Sequence, residues 1–285
     1  MKSCLVLLLL FSLSSWAQYE RGSRVCTDKS EEYYKQDSED IGNQYLYAAC
    51  LVIKGEDAKG LAMLYHLSDH QSSVTASFFL ADYLETDGRF MAPSSEKNLD
   101  EAIGYYLRTQ AIIALIPSYP EPDYFFHEKN HQMELKAVYR VPFLYLRKYG
   151  TGIIGDYRRH LLQSPNYTGS REKETYSQYN SYMLDSLSKV ARYAGECANL
   201  PQKRYFNSTR YQATIEACHL LEELAFTLIP LEEKRQEILL QPHCKDLNET
   251  NCPEYYETHK TIYDLREDFI EKLEIVFQPV VNASN

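Results

Sequence analysis

The chain has 285 residues, of which 44% are hydrophobic and 25% are charged, and this composition excludes a disordered chain as the default. Its formal net charge of −10 argues against nucleic acid or an anionic membrane surface as the main partner. Tyrosine is abundant, with 25 residues. Several tyrosines fall on helical stripes, so we expect most of them in a core, the alternative being the lining of a binding groove.

The N-terminus has the pattern of a signal peptide. Lys2 precedes an apolar segment over residues 5–13, and Ser15-Trp16-Ala17 supplies small residues at the positions that a signal peptidase reads. We expect residues 1–17 to be removed, and the alternative, an uncleaved anchor, would be short for a bilayer. The mature protein is then exported to the periplasm or the extracellular space with no membrane span, and residues 18–37 form a polar arm.

Removal of this segment leaves an even number of cysteines, which in an exported chain suggests up to three disulfides. Six cysteines allow fifteen pairings, and the sequence alone does not select one. Local loop closure favours Cys244–Cys252 and Cys26–Cys50, which leaves Cys197–Cys218 by elimination. Reduced, buried thiols are the alternative.

Helical periodicity begins after the arm and is clearest over residues 73–116. A first helix stops at Gly55, and a second follows at once. In the 73–116 stretch, Gly88 should end one helix and Asn98 should cap the next. The two helices carry apolar residues at i, i+3 and i+4 spacing, namely Ala76, Phe79, Leu80, Tyr83 and Leu84, then Leu99, Ala102, Ile103, Tyr106 and Ile113.

A common frame relates three helix ends. Each reads x-Leu-x-x-x-Gly and ends at Gly55, Gly88 or Gly150. A proline-rich linker over residues 117–130 interrupts the array, and a third unit should run over residues 131–164, with Pro142 kinking or restarting its first helix. We therefore expect helical repeats over residues 38–165.

Longer helical stripes follow in residues 166–285, where the frame is lost. We expect a disulfide-supported helical bundle or a degenerate continuation of the array, with Pro230 and Pro279 ending helices. The apolar stripes are Tyr176, Tyr179, Met183, Leu187, Val190 and Ala194; Ile215, Cys218, Leu221, Leu224, Ala225 and Leu228; and Ile262, Leu265, Phe269, Leu273 and Val276.

The segment from Ala76 to Gly88, followed by Asn98-Leu99-Asp100-Glu101-Ala102-Ile103, resembles the Sel-one-like repeat, a relative of the tetratricopeptide repeat. Glu101 stands where that family commonly has Lys, and the cysteines do not follow the repeat period. The resemblance implies an all-α chain, a short α/α solenoid of helix pairs whose concave groove binds a protein or peptide without catalysis or cofactor. It places the binding residues on the inner faces of the first helices, where we select Tyr47, Asp82 and Tyr83.

One motif suggests catalysis. His127-Glu128-Lys129-Asn130-His131 fits H-E-x-x-H, in which two histidines hold zinc and the glutamate activates water. The alternative function is therefore a zinc metallopeptidase that uses His127, Glu128 and His131, with Glu134 or His160 as a third ligand. Lys129 beside the site and the nearby Pro122 favour a solvated helix start instead, so we expect no enzyme and no metal.

Overall fold

The computed structural model describes residues 26, 28–85, 96–116, 124–150, 170–203, 207–244 and 252–282. Within these ranges the regular structure is entirely helical, which confirms the all-α prediction. A 3₁₀ turn spans Pro242–Cys244. The α-helices are α1 (Asp28–Gln36), α2 (Ile41–Ile53), α3 (Asp57–Gln71), α4 (Val74–Glu85), α5 (Glu96–Leu115), α6 (Tyr124–Gly150), α7 (Ser170–Ala198), α8 (Ser208–Leu239) and α9 (Pro253–Asn282).

The helices form two compact units, residues 1–140 with 203–206 and residues 141–202 with 207–285. The division falls inside α6, whereas the predicted domain boundary at residues 165–166 lies outside the described residues, as do residues 1–17. Within each unit, helices that follow one another in sequence pack together: α2 on α3, α3 on α4 and α4 on α5 in the first, α7 on α8 and α8 on α9 in the second. This order of packing is the one that a helical repeat uses.

The first unit is held together by the predicted stripes. Leu64, Leu67, Ala76 and Leu80 are fully buried in one cluster with Ala48 and Val52. All five residues predicted for the second stripe are buried, from Leu99 to Ile113. Ala48, Ala81 and Ala102 are completely inaccessible, as expected for small residues where helices approach closely.

Local signals explain where α2 and α3 end. The Asp40 carboxylate caps α2 by accepting the Asn43 N–H at 2.7 Å, and Gly55 takes a φ of +87° just after the helix, as predicted. Ser72 terminates α3 with a φ of 52°, a left-handed conformation that is unusual for a residue with a Cβ. Gly88 lies outside the described residues. Asn98 does not cap α5, because that helix begins two residues earlier, at Glu96.

The second unit buries most of the described positions of the predicted stripes of α7, α8 and α9, while Ile215, Leu265 and Val276 are half-buried. Met183, Leu187, Val190 and Ala194 are fully buried on α7, and the Cys218–Leu228 positions follow on α8. The side chains of Tyr176 and Tyr179 lie outside the described residues. Long helices that pack on their neighbours in sequence are therefore confirmed for this half of the chain, whereas the choice between a bundle and a continued array stays a prediction.

The prolines do not end the helices that contain them. Pro230 lies inside α8 and Pro279 inside α9, so the predictions for both were wrong. A helix-internal proline costs about 3 kcal/mol, and in α8 the helix is secured on both sides of it. Leu228 precedes Pro230 and is fully buried, while Glu232 and Ile238 follow it and are buried too. Pro142 likewise lies inside α6.

Three disulfides join Cys26–Cys50, Cys197–Cys218 and Cys244–Cys252, with Cα atoms 4.8, 5.9 and 4.9 Å apart. These are the pairs that local closure and elimination favoured. The first ties residue 26 to α2, the second joins the end of α7 to α8, and the third links the 3₁₀ turn to the start of α9. Of the helices in the described ranges, none combines the length and apolar character that a membrane span requires.

Candidate functional site

Tyr47, the first of the predicted binding residues, lies on α2 and faces α1 and α3. Its ring stacks on Tyr34 with centroids 4.6 Å apart and planes 10° from parallel. Its hydroxyl accepts a hydrogen bond of 3.0 Å from Lys59 Nζ, in the first turn of α3. The ring is therefore held in place while part of it stays accessible.

Tyr83, the third predicted binding residue, contacts the same end of α3. Its hydroxyl donates to Asp57 Oδ2 at 3.2 Å. Tyr47 and Tyr83 thus come from the first helices of two successive pairs and both bond to the first turn of α3. The prediction selected both because they lie on the first helices of the repeat pairs. In the structure, both hydroxyls bond to the same helix, α3.

Two further tyrosines extend this pattern along α3, and the sequence reasoning missed them. The Tyr105 hydroxyl on α5 donates to the Asp69 carboxylate at 3.4 to 3.5 Å, and its ring lies 5.8 Å from that of Tyr65. Burial, followed by the Asp69 charge, raises the pKa of Tyr105, so its hydroxyl stays a neutral donor. We call Tyr47, Tyr65, Tyr83 and Tyr105 the tyrosine set; each is partly exposed.

Asp82, the second predicted binding residue, points into the first unit and is 9% exposed. It accepts a hydrogen bond from the Tyr106 hydroxyl, and both of its oxygens lie 2.9 Å from Lys136 Nζ on α6. One turn along α4, Glu85 receives Arg140 Nε at 3.0 Å and lies 2.9 Å from the same Tyr106 hydroxyl. Two carboxylates on α4 therefore face two cations on α6, with Tyr106 between the carboxylates.

Each carboxylate in this arrangement has a cation as its partner, as buried charges require. These ion pairs also hold α6 against α4. Burial and the Asp82 charge raise the pKa of Tyr106 well above its usual value, so Tyr106 serves as a donor and not as a base. The contacts of Asp82 are internal, whereas those of Tyr47 and Tyr83 lie at a partly exposed surface. A role for Asp82 in binding a partner stays a prediction.

The H-E-x-x-H motif lies inside α6, which begins at Tyr124, well before the predicted start at residue 131. The side chains of His127 and Glu128 lie outside the described residues, as does His160. His131 Nδ1 is 2.9 Å from Glu134 Oε2, and Glu134 receives Lys203 Nζ at 2.6 and 2.7 Å. Glu134 is thus engaged by a cation and is a poor third ligand.

Within the described ranges, one group brings three metal-capable side chains together. The ligand atoms of His243, Cys244 and Glu254 lie within 4.8 Å of one another. The Cys244 sulfur is bonded to Cys252, however, so it supplies no thiolate. This group therefore does not provide the ligands of a zinc site.

A second buried network occupies the C-terminal unit, and the sequence reasoning missed it. Glu232 is completely buried and accepts from Arg235 Nε and Nη2 at 3.0 and 2.5 Å and from the Tyr149 hydroxyl at 3.0 Å. Arg235 also donates to the Tyr255 hydroxyl at 3.1 Å. Glu232 and Arg235 continue the apolar stripe of α8 beyond Leu228. Charged residues on an otherwise apolar helix face are a sequence signal from which a buried ion pair could have been predicted.

Comparisons with known protein families, with curated proteins and with solved structures each give no match. The resemblance to Sel-one-like repeats therefore rests on the sequence pattern. The structure shows that the helices pack on their neighbours in sequence and that the chain contains three disulfides. The tyrosine set is the surface on which a functional proposal can be based.

Proposed function

We propose that the chain is an exported, non-enzymatic binding or scaffold protein that holds a protein or peptide partner on the helix pairs α2–α5. The single observation that carries the proposal is the tyrosine set, whose side chains are partly exposed. The hydroxyls of Tyr47, Tyr83 and Tyr105 bond to α3, and the Tyr65 ring on α3 lies against that of Tyr105. The disulfides support an oxidising compartment, because such bonds persist there and are rare in the cytosol.

Tyrosine is suited to this role for two physical reasons. A fixed ring offers a large apolar contact area at little further cost in side-chain entropy, and its hydroxyl remains able to hydrogen-bond. Here the rings are fixed in advance, Tyr47 by stacking on Tyr34 and Tyr83 by its bond to Asp57. A partner that covers them therefore finds a preformed surface.

Site-specific photo-crosslinking tests the proposal. A photoreactive phenylalanine analogue replaces Tyr47 or Tyr83 in the full chain expressed in its native host, and Tyr263, a residue of α9 that is 54% exposed, is the matched control. We expect the first two positions to yield the same cross-linked protein and Tyr263 not to. Competition by the unlabelled chain should remove this product, and the Tyr47→Ala/Tyr83→Ala variant should compete at least tenfold less well.

The same product at all three positions, or full competition by the double variant, would contradict the proposed surface. The zinc alternative has its own test, because a metallopeptidase must bind zinc and cleave peptides. Glu128→Gln should abolish cleavage and leave zinc in place, whereas His127→Ala should release the ion. Zinc-dependent peptidase activity that follows this pattern would replace the scaffold proposal with the enzyme.

A further inference from the structure

His66 and His70 form an exposed pair on α3, one helical turn apart. Their ring centroids are 5.0 Å apart with the planes inclined at 41°, and both side chains are exposed. Residues at i and i+4 point in the same direction from a helix, so the two imidazoles share one patch of surface. The helix backbone fixes this spacing before any ligand arrives.

The spacing of the rings is that of two imidazoles bound to one metal ion. With metal–nitrogen bonds of about 2.0–2.1 Å and an angle near the tetrahedral value, the centroids of two ligating rings lie about 5 Å apart. The observed 5.0 Å agrees with this value. Binding through both rings requires rotation about side-chain bonds at most, without a change in the helix.

The charges near the pair offset one another and do not exclude a cation. His70 lies in the last turn of α3, where the helix dipole presents its negative end. Among the described residues, Arg108 bonds to the same end of α3: it donates to the carbonyls of Ser68 and Asp69 at 2.7 to 3.1 Å, and its charge is opposed by the Asp69 carboxylate, 3.9 Å away. The chain as a whole carries a net charge of −10.

We propose that His66 and His70 chelate a divalent transition-metal ion, with water completing its coordination. Imidazole ligands suit Cu²⁺, Ni²⁺ and Zn²⁺, and the general order of affinities places Cu²⁺ first. The site is separate from the H-E-x-x-H motif of α6 and does not depend on the proposed partner surface. Its function class is metal binding at the surface of an exported protein.

Titration of the untagged full chain with CuCl₂ or ZnCl₂ against a chromophoric competitor, in a buffer that does not bind metals, tests the proposal. We expect one ion per chain at this site, bound more tightly for Cu²⁺ than for Zn²⁺. His66→Ala and His70→Ala should each weaken binding at least tenfold, because either change removes one arm of the chelate. Both side chains are exposed, so circular dichroism should show the variants to be folded.

Two controls make the result specific. His219→Ala removes another exposed histidine, on α8, and should leave the affinity unchanged. Ala62 is exposed one turn before His66, so Ala62→His combined with His70→Ala rebuilds an i, i+4 pair and should restore binding. The proposal would be overturned by an unchanged metal affinity in the single His66 or His70 variants, or by an equal loss of affinity in His219→Ala. It would also be overturned if the rebuilt pair did not bind the ion, or if one ion were shared by two chains. Loss of binding in His127→Ala alone would do so as well, by assigning the ion to α6.

Discussion

Gly60→Ala should destabilise the first unit, although alanine is the better helix former. Gly60 lies in the first turns of α3, buried against α2. A Cβ built on it would lie 2.6 Å from Val52 Cγ2, 2.7 Å from the Ala48 carbonyl oxygen and 2.9 Å from the Val52 nitrogen. Two of these three atoms belong to the α2 backbone, so a rotamer change cannot relieve the contact and the two helices must separate.

The magnitude follows from two opposed effects. Overpacking of this kind costs about 1–3 kcal/mol, while replacing glycine by alanine in a helix returns about 1 kcal/mol at most. The net expectation is a loss of up to about 2 kcal/mol. Gly104→Ala is the matched control, because Gly104 lies in α5 with nothing within 4 Å of its added Cβ. That variant should gain about 0.5–1 kcal/mol.

Urea unfolding of the full chain, followed by far-ultraviolet circular dichroism, measures both changes. Since the two compact units need not unfold together, amide hydrogen exchange of peptides from α2 and α3 assigns the change to the first unit. Gly195→Ala in α7 is a second control, since its Cβ would meet Glu222 Oε1 at 2.7 Å, the far end of a side chain that can move. If Gly60→Ala were as stabilising as Gly104→Ala, the close approach of α2 and α3 would be refuted.

Three further substitutions test other features. Ser72→Gly should raise the free energy of unfolding, measured with urea, by about 0.5–1 kcal/mol, because glycine accepts the left-handed conformation found at this position. An unchanged free energy would mean that the end of α3 differs from the one described. Glu232→Gln should lower the free energy of unfolding by about 3–5 kcal/mol, because it leaves the buried Arg235 charge without its counterion. Replacing both Glu232 and Arg235 by Met should lower it much less. Equal losses in the two variants would contradict the ion-pair argument. Burial, followed by the Asp82 charge, raises the pKa of Tyr45 to about 12 in the folded chain. Its contribution to stability is therefore complete below a pH of about 10 and falls by about 1.4 kcal/mol at pH 11. Tyr45→Phe should flatten the pH profile of urea unfolding by that amount, and an unchanged profile would contradict the raised pKa of Tyr45.

Much of the fold was predictable because it depends on interactions within single helices. The stripe from Leu99 to Ile113 is buried throughout, and Gly55 takes the positive φ that its position required. Two of the disulfide pairs were favoured for a related reason, since closing short loops is the least costly choice, and the third pair was left by elimination. Errors arose where a local rule met a tertiary contact. Pro230 stays inside α8, because Leu228, Glu232 and Ile238 are buried on either side of it.

The candidate site shows the same division between local pattern and tertiary structure. Tyr47 and Tyr83 were chosen by repeat position, and both are at a partly exposed surface bonded to α3. Asp82 was chosen by the same argument, yet its carboxylate faces Lys136 on α6, far away in the chain. Periodicity specifies which face of a helix a residue occupies, but not which helix comes to cover that face.

The sequence by itself determined the helical class, the apolar stripes and the favoured cysteine pairs, because these follow from spacing along one helix or across one short loop. Only the tertiary structure decided which polar groups became internal. The charges of Asp82, Glu85, Glu232 and Arg235 are buried because each meets a counterion or a hydroxyl as the helices pack. A buried charge is tolerated only with such a partner, and the partners of the α4 carboxylates lie on a helix more than fifty residues away.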